Sequence, residues 1–142
     1  MWPNHRATNV IKRRNFWLPL SEFSRLRRRS LIAANDGLRE ICGYFVCGPD
    51  GQVRLTFTLN RTAEPSRFKM RKADLGVCPT RRQVWGTFHS HPLGEEYPSE
   101  TEANLSNFSP LLMIYSDIFE KIALWGYFRS RTPVRLNLRV RR

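Results

Sequence analysis

The sequence predicts a single mixed α/β domain of the α+β kind, and three observations carry that prediction. Val53, Leu55, Phe57 and Leu59 alternate with Arg54, Thr56 and Thr58, the period of two expected of a half-buried strand. Further apolar runs, at Ile41–Cys47, Val84–His91, Leu111–Tyr115 and Ala123–Phe128, have strand length. Between Ser21 and Asn35 the apolar residues Phe23, Leu26, Leu31 and Ile32 instead suggest one early helix. A length of 142 residues suits one domain with one core.

The elements follow in order. Residues 1–15 read as a basic N-terminal extension. Ser21, Glu22 and Ser24 supply capping chemistry for the helix, and Asn35-Asp36-Gly37 is a stop signal. Ile41–Cys47 is a strand closed by the turn Gly48-Pro49-Asp50-Gly51. Residues 61–83, with Pro65, Pro79 and many charges, form a connection with one short helix around Lys72–Leu75. The Val84–His91 strand stops at Pro92, which cannot donate to a ladder. Residues 93–98 form a loop, and Ser99 opens a helix through about Phe108. The main domain spans 16–130, and 131–142 is a basic tail or a last strand, centred on Pro133–Val140.

Composition narrows the function classes. No apolar run reaches the roughly 20 residues of a membrane span, and the Arg-rich N-terminus has no h-region, so no membrane partner is expected. Three cysteines, Cys42, Cys47 and Cys78, argue against a disulfide framework and for a reducing, cytoplasmic setting. Buried thiols are their plain reading. The formal charge of +12 concentrates at the two ends and would attract nucleic acid or an acidic protein. Glu95–Glu102 runs against that trend, with four carboxylates and no basic residue. Glu95, Glu96 and Glu100 read as solvated loop charges.

The chemistry-bearing pattern is His89-Ser90-His91-Pro92. On a strand, His89 and His91 project to one face, with Ser90 facing away, so two imidazole nitrogens can reach one metal. Alone, the pair reads more readily as two surface polar residues than as metal ligands. Seven residues intervene before Ser99, and Glu102 follows three positions later. At a first helical turn these two either form a capping box or turn toward the histidines, with Glu102 as third ligand and water as fourth. The aromatic residues sit mostly in core-like runs. Tyr97, beside the site, is the one placed to touch substrate, and His5 is assigned no ligand role.

The spacing from His89 to Glu102 resembles the signature of the JAB1/MPN/Mov34 (JAMM) metalloprotease family. The family also has an upstream glutamate before a glycine-containing strand, and Glu40-Ile41-Cys42-Gly43-Tyr44-Phe45-Val46-Cys47-Gly48 is similar to that segment. Asn60, Pro65, Phe68 and the approach Val84-Trp85-Gly86-Thr87-Phe88 agree as well, over about residues 20–128. The resemblance implies a JAB/MPN domain: a curved mixed sheet flanked by helices, of cytidine-deaminase-like architecture. It implies one Zn2+ per chain held by His89, His91 and Glu102, with Glu40 as general base and Ser99 as hydrogen-bond donor to the oxyanion. Glu102 departs from the family's usual aspartate by one methylene.

The activity implied is that of a zinc-dependent isopeptidase removing a ubiquitin-like modifier from a conjugate or precursor. The short connections imply a minimal, prokaryotic-like member working beside E1- or E2-like partners. Two alternatives stay open. One is a phage or bacterial tail-assembly or cell-wall peptidase, although these usually carry a second peptidase domain. The other is a non-catalytic scaffold that binds nucleic acid or protein through its basic ends.

Overall fold

In the computed structural model, the described residues are 14–62, 84–99, 111–128 and 132–142. The expected helices at Lys72–Leu75 and from Ser99 through Phe108 lie largely or wholly outside them. Seven strands and one helix are built from the described residues: β1 (Asn15–Pro19), α1 (Leu20–Asn35), β2 (Cys42–Cys47), β3 (Val53–Thr58), β4 (Val84–His91), β5 (Leu111–Ser116), β6 (Lys121–Gly126) and β7 (Val134–Arg141). They form one mixed sheet in the order β1-β7-β6-β5-β4-β2-β3. β4 runs parallel to β5, and β1 parallel to β7; the other neighbours are antiparallel.

The sheet curls until its two ends meet. Trp17 on β1 bridges Gln52 beside β3, and the Trp17 amide donates to the Gly51 carbonyl at 3.0 Å. Gly51 sits at φ 85°, and a Cβ there would run into the Asn15 carbonyl, so this turn requires glycine. The result is a half-barrel whose inner face packs Phe16, Leu18, Phe45, Val53, Leu55, Phe88, Leu111, Met113, Leu124 and Leu136 around Leu26 of α1.

α1 differs from its sequence reading in two ways. It begins at Leu20, directly behind Pro19, and no side chain caps it. β1 runs straight into the helix, so Ser21 already lies inside the first turn. The buried stripe is Phe23, Leu26 and Ser30, while Leu31 and Ile32 are 56% and 64% exposed. At 100° per residue, Ile32 stands almost opposite Phe23, so one face cannot bury both. Ser30 instead anchors the helix by donating to the Asp117 carboxylate at 2.7 Å. The helix stops where expected, with the amides of Asp36, Leu38 and Arg39 folded back onto Ala33 and Ala34 and Gly37 at φ 74°.

The register of β2 on β4 depends on two complementary contacts. Gly43 pairs with Phe88, and Phe45 pairs with Gly86, so each ring lies over the partner strand's glycine. A Cβ on Gly43 would stand 2.6 Å from the Phe88 ring, and one on Gly86 2.6 Å from the Phe45 ring. A methyl at either position forces rings or backbone apart. Gly43→Ala and Gly86→Ala should each lower stability by about 1–3 kcal/mol, the usual cost of overpacking. Urea denaturation reads this directly, and an unchanged midpoint would contradict the packing argument.

Candidate metal-binding and catalytic site

β4 carries both histidines to the face of the sheet turned away from α1. Its position between β2 and β5 makes the strand a rigid platform. His89 is fully buried and His91 partly so. Their Nε2 atoms converge to 3.1 Å. The other nitrogen of His91, Nδ1, lies 2.6 Å from the Glu95 carbonyl oxygen. A carbonyl can only accept, so Nδ1 holds the proton of the neutral ring and Nε2 presents its lone pair. Two nitrogens bound to one zinc at about 2.05 Å in a tetrahedron stand roughly 3.3 Å apart. The observed pair therefore fits a single divalent ion with little adjustment.

Glu40 reaches the site through the β2–β4 pairing. Cys42 stands opposite His89, and the Ser90 amide donates to the Ile41 carbonyl at 3.0 Å. Continuing that register sets Glu40 opposite His91 on the same face of the sheet. Glu40 is 5% exposed. Among the described residues no third His, Cys, Asp or Glu joins the histidines as a metal cluster. Ser99 is exposed at the end of the loop that follows Pro92. Glu102, the expected third ligand, lies outside the described residues.

The loop between His91 and Ser99 is fastened to the sheet through three consecutive carbonyls. Ser116 Oγ donates to Gly94 O at 2.6 Å, His91 faces Glu95 O, and the Trp125 indole donates to Glu96 O at 2.9 Å. Ser116 is itself aligned with His91 across β5. The reading of Glu96 as a solvated charge needs correction, because it is only 5% exposed. The fastening of its carbonyl draws it against the sheet. Glu95 is exposed, as expected. Tyr97 lies over Trp125 with ring centroids 5.3 Å apart, which leaves it 48% exposed beside the site.

No local pattern marks Ser116 and Trp125 as loop anchors, since both sit in or beside apolar runs that read as core. Asn60 was visible only as part of the family pattern. In the structure its Nδ2 donates to the Glu40 carbonyl at 2.8 Å, and its Oδ1 accepts from the Thr62 amide at 3.1 Å. An Asx-type turn after the alternating strand β3 is a signal that points to such a residue.

A half-barrel with paired histidines at the end of an inner strand is the architecture of the JAB/MPN class. The family model for prokaryotic homologs of the JAB domain matches residues 24–125, and the chain belongs to that family. Among solved structures, a JAB1/MPN domain protein from Archaeoglobus fulgidus is similar over 90% of this chain and 98% of its own, at 17% identity and a TM-score of 0.55. A second, described as JAMM, a metalloprotease-like zinc site in the proteasome and signalosome, covers 87% of this chain and 97% of its own, at 15% identity and a TM-score of 0.50. No curated protein matches the sequence. Among the described residues no helix is long and apolar enough to cross a membrane.

The two cysteines among the described residues are structural. Cys42 and Cys47 are both buried, and burial pushes the Cys47 thiol up to about 12 against a smaller opposing pull from Arg14. At pH 8 Cys47 therefore carries almost no thiolate. Iodoacetamide should label it slowly in the native protein and rapidly in urea, as read by peptide mass spectrometry. Rapid native labelling would disprove its burial.

Proposed function

We propose that this protein is a zinc-dependent isopeptidase or peptidase that releases a ubiquitin-like modifier from a conjugate or precursor in the cytoplasm. The observation that carries the reading is the converging histidine pair, with His91 held in the metal-binding tautomer by the Glu95 carbonyl and Glu40 buried alongside. His89 and His91 would hold the ion, with Glu102 as third ligand. Zinc would supply a water acidic enough to act near neutral pH and would polarise the scissile carbonyl.

The chain's own groups then account for the remaining steps. Glu40 accepts the proton of the attacking water and passes it to the leaving amine, the work of a carboxylate general base and acid. Ser99 donates a hydrogen bond to the oxygen on which charge develops. The buried setting of Glu40 shields this proton transfer from bulk water.

A cleft of about 330 Å³ opens beside Glu40, between the second half of α1 and the end of β3. Ile32, Phe57 and Leu59 give it apolar walls, and Arg29 and Arg39 lie among its lining residues. Such a cleft suits an extended peptide segment lying beside Glu40, which supports a modifier tail as the substrate. E1- or E2-like proteins that install the modifier are the partners this reading expects.

Purified protein should contain close to one zinc per chain, and His89→Ala should lose it. With a fluorogenic amide of a ubiquitin-like modifier as substrate, Glu40→Gln should retain zinc and lose about 10²- to 10⁴-fold in rate. Glu102→Asp, which shortens the proposed third ligand by one methylene, should raise zinc affinity. Protein that binds no zinc and ignores chelators would overturn the enzymatic reading and leave a scaffold.

A further inference from the structure

Ser90 stands between the two histidines yet belongs to neither metal-binding side chain. It is fully buried, and its hydroxyl accepts a hydrogen bond from the Ile41 amide at 2.9 Å. Its own amide donates to the Ile41 carbonyl at 3.0 Å. On the other side, Asn60 donates to the Glu40 carbonyl at 2.8 Å. The Glu40 carbonyl and the Ile41 amide are the two polar ends of one peptide unit, planar because of its partial double bond. That plane is therefore gripped at both ends by side chains from two different strands or their ends.

β2 begins only at Cys42, so the segment bearing Glu40 lies outside the regular ladder. A strand end with few ladder bonds frays, and its side chain samples many positions. Here the one backbone bond from Ser90 to the Ile41 carbonyl is supplemented by two side-chain bonds to the peptide before it. One comes from the strand that carries the histidines, so any shift of the histidines carries Glu40 with it. Arg39 reinforces the other side by donating to the Asn60 carbonyl at 3.3 Å.

We propose that Ser90 and Asn60 are positioning residues that clamp the Glu40–Ile41 peptide and so fix the Glu40 carboxylate relative to the histidine pair. The inference rests on the reading of Glu40 as general base. The serine of the His-Ser-His sequence thereby acquires a task distinct from spacing two ligands. Removing its hydroxyl frees the Ile41 amide without touching either imidazole.

The test combines amide exchange, metal content and turnover. In Ser90→Ala, exchange at the Ile41 amide should speed up at least tenfold by NMR while zinc per chain stays unchanged. On the fluorogenic modifier amide, kcat should fall roughly 10- to 100-fold with KM within about twofold, the range seen when groups supporting a site are removed. Ser90→Thr, which keeps the hydroxyl, should recover most of both losses. Asn60→Ala should show the same kcat-only loss.

Slow Ile41 exchange in Ser90→Ala would overturn the clamp. Fast exchange with unaltered kcat, or loss of zinc, would equally overturn its role in positioning Glu40. Glu40→Gln separates the two claims: full activity there removes the general base itself, whereas inactivity there together with active Ser90→Ala removes only the clamp.

Discussion

The pairing of β2 with β4 governs where the chemistry can happen. A two-residue slip would keep each strand's inner and outer faces while moving Glu40 roughly 7 Å along the histidine strand. Hydrophobic alternation alone therefore does not choose the register. The reciprocal fit of Phe88 over Gly43 and Phe45 over Gly86 does, because a two-residue slip one way sets Phe45 against Phe88 and the other way sets Gly43 against Gly86 and leaves a void. Packing on the inner face thus fixes the alignment of Glu40, His89 and His91 on the outer face.

From that register the site assembles outward. β5, buried along its whole length, supports β4 from the other side and brings Ser116 level with His91. Ser116 and Trp125 then hold the loop that His91 also holds, so the His91 ring itself helps shape the segment leading to Ser99. The hydrogen bond to Glu95 O serves both purposes at once. It selects the His91 tautomer and fixes the first residues of the loop.

How much of this was legible in the sequence depended on the range of each interaction. The alternation at Val53–Leu59 and the i, i+2 spacing of His89 and His91 are local, and both were readable. The family signature, not local chemistry, singled out Glu40, because its place beside His91 depends on pairing across some fifty residues of chain. Burial of Glu96 went unread for the same reason, since the group that draws in its carbonyl is Trp125. β1 escaped notice because Asn15–Pro19 is short, ends in proline and pairs with a strand 122 residues later. Leu31 and Ile32 are apolar and lie in the helix, yet their helical angles turn them to solvent.

The closure of the curled sheet by β1 and β7 has a consequence for how the molecule comes into being. Asn15 meets Asn137, so the two strands lie side by side only after nearly all the intervening chain exists. A growing polypeptide carries Phe16 and Leu18, both destined for the inner core, without the neighbour that shelters them. Long-range parallel pairing of this kind is slow, because loop-closure entropy is spent before the contacts repay it. The half-barrel should therefore close last at its β1–β7 seam, and that seam is where a nascent or stalled chain is most exposed to aggregation and most in need of a chaperone.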